Sequence, residues 1–265
     1  MLGIHQKFEN PMSEIISTAQ FLGADTFQIF TRNNRNGLRR DITIREIDDF
    51  NKAFEAQNAI RTWVVHACYV MNPSSLDDAA MKRAVELYES DMKMLEQLYG
   101  RILYVIHPGS SEQSPGSAHR QLYMFLQKVR SSTPPNVEVC LETMSGSTGN
   151  TKRFASMHEA YMFMKLYRDL DYVGLCFDTA HVFQAGEDPT WAWKELKPYV
   201  KVVHLNNSKT PMGSKWDQHE SIRSGQIPTD QLVALAKDVP ADVPIILETP
   251  QESLVDDYRF LKERL

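Results

Sequence analysis

The chain has 265 residues, 42% of them hydrophobic, and a formal net charge of −5. That apolar share builds a sizeable core, and no run approaches the roughly 18 uninterrupted apolar residues of a membrane span; the acidic balance argues against simple polybasic binding of nucleic acid. The length suits one α/β barrel, which needs roughly 250 residues, so a single domain over residues 1–265 is expected.

The opening, M-L-G-I-H-Q-K-F-E-N-P, runs directly into a strand-like segment without a basic region followed by an apolar stretch. No secretory signal is therefore read, and an intracellular location is expected. Cys68, Cys140 and Cys176 sit in or beside apolar runs and cannot all pair with one another. That fits a reducing compartment without a disulfide framework.

From end to end, short apolar runs alternate with longer amphipathic ones, the pattern of repeated βα units on a parallel sheet. Strands are predicted at 2–5, 26–30, 62–66, 103–107, 137–142, 173–178, 200–204 and 244–248. Helices are predicted at 12–21, 44–56, 76–99, 118–129, 157–167, 190–196, 229–236 and 253–264. Eight strands close into a (β/α)8 TIM barrel and leave no room for a second domain. The longer polar loops, 109–116, 145–151 and 206–215, all follow strands. In such a barrel that is the face carrying the chemistry.

The strand ends share a feature. The third ends at His66, the fourth at His107 in I-H-P-G and the fifth at Glu142 in L-E-T. The sixth ends at Asp178 in C-F-D-T-A-H, with His181 three residues on; the seventh ends at His204 in H-L-N, and the eighth at Glu248 in I-L-E-T-P. The loop after the seventh adds Asp217 and His219. In extended chain, residues two apart point to one side, so this carboxylate and imidazole can close on one ion. A lone histidine at a strand end is usually hydrogen-bonded structure. The convergence of all these groups is not packing, because Asp and Glu are almost never buried unless paired or metal-bound.

Five histidines and four carboxylates without a ligating cysteine suit Zn²⁺, with Mn²⁺ or Fe²⁺ as alternatives. They are too many for one ion, and a bridging carboxylate would serve two or three ions, an arrangement that points to phosphate chemistry. Of the remaining histidines, His119 and His158 lie at helix starts and read as surface residues. His5 ends the first strand and is read with them as outside the site; if it reaches the site, it does so as a hydrogen-bond partner rather than a ligand.

These residues resemble the endonuclease IV family of apurinic/apyrimidinic endonucleases. The motifs V-V-H-A-C-Y, I-H-P-G-S, L-E-T, C-F-D-T-A-H, H-L-N-N-S-K, W-D-Q-H-E-S and I-L-E-T-P stand in the family's order across nearly the whole chain. The resemblance implies three zinc ions: one on His66, His107 and Glu142, one on Glu142, Asp178, His204 and Glu248, and one on His181, Asp217 and His219. It implies a monomer acting on double-stranded DNA with abasic sites, away from membranes. The reaction implied is hydrolysis of the phosphodiester 5′ to the abasic site, leaving a 3′-hydroxyl and a 5′-deoxyribose phosphate. In it Glu142 is the bridge and Glu248 orients the attacking hydroxide. Three divalent ions would add about six positive charges to an acidic chain, where the substrate phosphate sits.

Arg35 in T-R-N-N-R-N-G and Tyr69 in H-A-C-Y-V-M-N align with the family's DNA-inserting side chains. Two departures touch the same side: residues 6–11 replace the family's Gly-rich turn after the first strand, and Gly37 stands where an aromatic is often found. Two other functions are weighed against this one. A sugar isomerase or epimerase on the related barrel shares Glu142, Asp178, His204 and Glu248 but does not require His66, His107 and the D-Q-H pair together. A binder of damaged DNA without cleavage would not need the full ligand set.

Overall fold

A computed structural model of the protein describes residues 1–8, 11–112, 114–146 and 151–265. In chain order it contains β1 (Leu2–Gln6), α1 (Glu14–Leu22), β2 (Thr26–Phe30), α2 (Ile44–Glu55), β3 (Thr62–His66), α3 (Asp78–Leu95) and β4 (Arg101–Ile106). It continues with α4 (Pro115–Val129), β5 (Val137–Glu142), α5 (Met157–Leu166), β6 (Val173–Asp178), α6 (Thr179–Ala185), α7 (Pro189–Leu196) and β7 (Val200–Leu205). The short strands β8 (Asn207–Ser208) and β9 (His219–Glu220), then α8 (Thr229–Asp238), β10 (Ile245–Leu247) and α9 (Leu254–Lys262), complete it.

β1 to β7 and β10 close into a barrel in the order β1-β10-β7-β6-β5-β4-β3-β2, every neighbouring pair parallel. This is the (β/α)8 TIM barrel expected from the alternation. Its apolar material divides in two. A large cluster fills the space between strands and helices, with Phe27, Trp63, Tyr88, Phe125 and Phe177 among its buried members. A smaller cluster, Val64, Leu103, Val105, Cys140, Cys176, Val202 and Ile246, plugs the barrel interior.

The inner cluster explains why the strand ends converge. Alternate residues of a strand point to one face, and His66, His107, Glu142, Asp178, His204 and Glu248 each stand two residues beyond an interior plug residue: Val64, Val105, Cys140, Cys176, Val202 and Ile246 in turn. The inward direction of each polar side chain is thus set by the packing of the apolar one before it. Registry sets Asp178 beside His204 on adjacent strands, while Glu142 pairs with Cys176 and His204 with Ile246, so the polar residues step along the barrel mouth.

Several boundaries differ from the sequence reading. His107 and Glu248 lie one residue beyond β4 and β10, which stop at Ile106 and Leu247. The loop read between 206 and 219 is partly an antiparallel ribbon pairing Asn207 with Glu220 and Ser208 with His219. The helix α6 is an addition to the expected elements. It starts because the Asp178 carboxylate caps it, accepting from His181 N at 2.7 Å, and it ends at Gly186 in the left-handed region, φ +105°. His181 therefore rides on the first turn of a helix. His119 is not a surface residue: Nε2 bonds Glu159 Oε1 at 2.7 Å, and its ring meets Phe154 and Phe163 edge-on. His158 is exposed, as expected. All three cysteines are buried and free. Among the described residues, no helix is long and apolar enough to cross a membrane. The segments 6–11, 109–116 and 145–151 each include residues outside the described ones.

Candidate metal centre

Glu142 stands at the middle of the strand-end cluster, 1% exposed. Its Oε2 is 3.1 Å from Nε2 of both His66 and His107, and its Oε1 is 3.0 Å from Nδ1 of His204. That same Nδ1 faces Glu248 Oε2 at 3.4 Å and Asp178 Oδ2 at 3.7 Å. To one side, Asp217 Oδ1 lies 3.2 Å from His181 Nε2 and 3.4 Å from His219 Nε2. The nine residues singled out at the strand ends and in the following loop are thus gathered at one end of the barrel.

Their donor atoms form compact groups, each able to surround an ion: His66, His107 and Glu142; Glu142, Asp178, His204 and Glu248; and Asp178, His181 and His219. The last differs from the implied trio in having Asp178 where Asp217 was expected, although Asp217 is in contact with both histidines. A further group includes Cys176 with Glu142 and His204. Burial pushes the Cys176 thiol up to about 12. A sulfur that keeps its proton so firmly is the poorest donor present.

Three of the histidines are aimed by main-chain carbonyls. Nδ1 of His66 donates to Ala67 O at 2.8 Å, Nδ1 of His181 to Thr143 O at 2.9 Å and Nδ1 of His219 to Glu248 O at 2.9 Å. With that nitrogen committed to a carbonyl, Nε2 is the nitrogen of each ring turned toward the cluster. Asn206 braces the Asp178 carboxylate: its Nδ2 donates to Asp178 Oδ2 at 2.8 Å, while its Oδ1 accepts from Ala180 N at 2.8 Å and Thr179 Oγ1 at 3.0 Å.

The electrostatics fit cations. Glu142 and Asp178 are buried carboxylates with Glu248 close by, and buried anions require positive charge. Burial opposes ionisation of Glu142, yet the imidazoles of His107 and His204 outweigh it and hold the carboxyl well below its usual range. The histidines respond in kind. Burial lowers His181 and His219, but Asp178 and Asp217 raise the first to about 10, and Asp217 and Asp178 raise the second to about 9. His5, where burial dominates, is pushed down to about 4. The Nε2 atom of His181 is buried, and the Asp217 carboxylate at 3.2 Å is its neighbour in the cluster. Donor set and buried charge both match divalent ions.

Tyr69 and Arg35 fare differently. The Tyr69 ring stacks on His107, centroids 4.9 Å apart at 17°, and meets His66 and Phe30 edge-on. It is 49% exposed, so one face packs on the site while the rest meets solvent. Arg35 lies on the loop after β2, its side chain exposed and its backbone nitrogen held by Asn33 Oδ1 at 3.0 Å. That loop is joined to Tyr69, whose backbone nitrogen bonds Asn34 O at 2.8 Å. Gly37 adopts φ +73°, and a Cβ there would stand 3.1 Å from Val70 and 3.3 Å from Leu87. A side chain at this position would be strained by that backbone and would crowd Val70 and Leu87.

Sequence reasoning missed Gln28, Asn206 and Cys176 as members of the site. A signal existed for the first: Gln28 is a lone amide inside the apolar strand T-F-Q-I-F, on its inward-facing parity.

The pattern of the Xylose isomerase-like TIM barrel family matches residues 16–264. The chain is 30% identical to apurinic-apyrimidinic endonuclease 1 of Saccharomyces cerevisiae, covering 95% of this chain and 71% of the yeast protein. The crystal structure of endonuclease IV from Thermus thermophilus superposes with a TM-score of 0.83 at 25% identity, covering 99% and 97% of the two chains. D-psicose 3-epimerase from Clostridium cellulolyticum, at 17% identity and a TM-score of 0.69 over 99% and 91%, shares the barrel alone. Strand-end motifs, barrel geometry and near full-length similarity agree, and the chain belongs to the endonuclease IV family of AP endonucleases within the xylose isomerase-like TIM barrels.

Proposed function

We propose that the protein is a DNA-repair endonuclease that hydrolyses the phosphodiester 5′ to an abasic site, leaving a 3′-hydroxyl and a 5′-deoxyribose phosphate. The observation that carries this reading is the convergence of five imidazoles and four carboxylates on one barrel mouth, with Glu142 in reach of two groups of donors. Three zinc ions are the reading for the centre. His66, His107 and Glu142 would hold the first, Glu142, Asp178, His204 and Glu248 the second, and His181, Asp217 and His219 the third, with Asp178 close enough to share. When bound, such ions supply the positive charge and water activation that phosphodiester hydrolysis needs.

The chain's own groups have definable tasks. Glu142 spaces the imidazoles on its two sides. Glu248, 15% exposed, presents Oε2 to the cluster while Oε1 is tied back to Gln28, so its inner oxygen is the one available to orient a nucleophile. Beside the cluster is a cavity of about 340 Å³ lined by Tyr69, Asn72, Ser110, Lys152 and Asp217 among others, open to solvent and wide enough for a sugar-phosphate unit. Lys152 brings a cation to its wall. Asn72 keeps the wall in place by exchanging two hydrogen bonds of 3.0 Å with the backbone of Ser110.

The test pairs metal analysis with cleavage. Purified protein carrying two to three divalent ions should cut a duplex with one abasic site on the 5′ side of the lesion. Turnover of a ketose without cleavage would assign the centre to an epimerase, and tight binding of the lesion without a cut would make the protein a damage binder. Either result overturns the proposal.

A further inference from the structure

Gln28 is fully buried in β2, and its side chain reaches the metal-ligand cluster. Its amide has a partner for each hydrogen and for its oxygen. Nε2 donates to Glu248 Oε1 at 2.5 Å and to His5 Nδ1 at 3.0 Å, while Oε1 lies 2.8 Å from His204 Nε2. Chemistry fixes the orientation of this amide. An ionised carboxylate only accepts, so the NH2 group must face Glu248 and the oxygen must face His204. An amide oxygen also only accepts, so His204 must carry a proton on Nε2. The nitrogen left for a metal is Nδ1, and it is this atom that faces Glu142, Glu248 and Asp178 at 3.0, 3.4 and 3.7 Å.

His204 is thereby the reverse of His66, His181 and His219, which donate Nδ1–H to main-chain carbonyls and face the cluster with Nε2. For those rings the backbone fixes the direction. For His204 a side chain does.

We propose that Gln28 is a positioning residue of the metal centre: it selects Nδ1 of His204 as the metal-binding nitrogen and, with the other end of the same amide, turns Glu248 toward the ion. Only a neutral group with an acceptor and two donors can serve all three neighbours. Leucine would serve none of them, and glutamate would accept from His204 but repel Glu248. The inference rests on the reading of Glu142, Asp178, His204 and Glu248 as a metal site and not on the DNA substrate.

The experiment is nitrogen NMR of zinc-loaded protein labelled with ¹⁵N-histidine, joined to zinc affinity measured by competition with a chromophoric chelator. Wild type should show His204 coordinated through Nδ1 with a proton on Nε2, and Gln28→Glu should keep that pattern because an acceptor remains. Gln28→Leu should bind zinc about 10–100-fold more weakly, the usual scale for losing the outer partner of a ligating histidine. Coordination of His204 through Nε2 in wild type, or undiminished zinc affinity in Gln28→Leu, overturns the proposal. If Gln28→Leu does not fold, the wild-type spectrum still decides. Failure to cut abasic DNA would leave all these readouts unchanged, whereas absence of zinc binding in wild type would overturn the metal reading and this proposal together.

Discussion

Oε1 of Glu142 lies 3.0 Å from Nδ1 of His204, although 62 residues of chain separate them. Nothing local joins the two; they meet because β5 and β7 flank β6 in the barrel and each presents its inward residue at the same end. The other oxygen of Glu142 is equally engaged, with His66 and His107. Glu142→Gln keeps the volume but puts an NH2 group against an imidazole and removes a charge shared by two groups of ligands. We expect loss of at least one ion per chain by elemental analysis, together with a fall in cleavage rate of about 10³-fold or more, the scale of a lost electrostatic contact. Near-normal turnover with full metal would show that Glu142 does not bridge.

Metal removal should act on stability as well as on activity. Without ions the barrel mouth retains buried carboxylates whose counter-charges are the surrounding imidazoles. A ligand that binds only the folded state stabilises it by about 4 kcal/mol at a thousandfold excess over Kd. Prolonged chelation should therefore abolish cleavage and lower the melting temperature, and zinc should restore both. Full activity in protein analysed with one ion or none would refute the cluster reading.

A different buried carboxylate holds the loop that carries Arg35. Asp91 of α3 is fully buried and accepts from Arg32 Nε at 2.7 Å, Arg39 Nη1 at 3.0 Å and Tyr104 OH at 2.7 Å. Arg32 in turn donates Nη1–H to Gly37 O at 3.2 Å, closing the loop on itself. Asp91→Ala leaves two guanidinium groups without their shared anion, and breaking a buried ion pair on one side costs about 3–5 kcal/mol. Denaturant unfolding should show a loss of that order with the metal content intact. KM for duplex DNA should rise, while kcat on a single-stranded abasic substrate stays near wild type. An unchanged unfolding midpoint would mean that the loop is held by other contacts.

The part of the site that is legible in the sequence is the part that strand periodicity dictates. A residue two beyond an interior valine, isoleucine or cysteine must point inward at the barrel mouth, so His66, Glu142 and His204 can be placed from the chain alone. What is not legible depends on partners far away in sequence. Gln28 looks like an oddity in an apolar strand until His204 and Glu248, 176 and 220 residues later, are brought against it. His119 reads as a surface residue until Glu159 arrives from α5. The unexpected helix α6 is another kind of failure. Its signals, the cap Asp178 and the stop Gly186, are present in the sequence, but D-T-A-H reads equally well as a run of ligands, and seven residues are short for a periodic pattern.

The grip on DNA gives the last prediction. A metal cluster recessed at a barrel mouth can reach the phosphodiester beside a lesion only if the nucleotide leaves the stack, at a cost of a few kcal/mol. A side chain that fills the gap offsets that cost. Arg35 and Tyr69 lie on neighbouring loops joined by the bond from Tyr69 N to Asn34 O, and both reach solvent. Each can stack on a base and still present a polar end. Their surroundings make them unequal as probes. The Arg35 side chain is exposed, so Arg35→Ala should keep full metal content. It should lose cleavage of a well-stacked duplex by about tenfold more than cleavage of a bulged or single-stranded abasic site, the scale of one lost stacking contact of about 1–3 kcal/mol. Tyr69 packs its ring on His107, so Tyr69→Ala should show the same preference for the unstacked substrate plus a general loss on both, as the His107 ring is freed to move. Tyr69→Leu, which restores apolar cover for that ring but cannot stack as flatly, should recover the general loss and keep the substrate preference. Equal losses on stacked and unstacked substrates in all three variants would assign Arg35 to solvation and Tyr69 to packing, and the gap would be filled by Asn36 or Val70 on the same two loops.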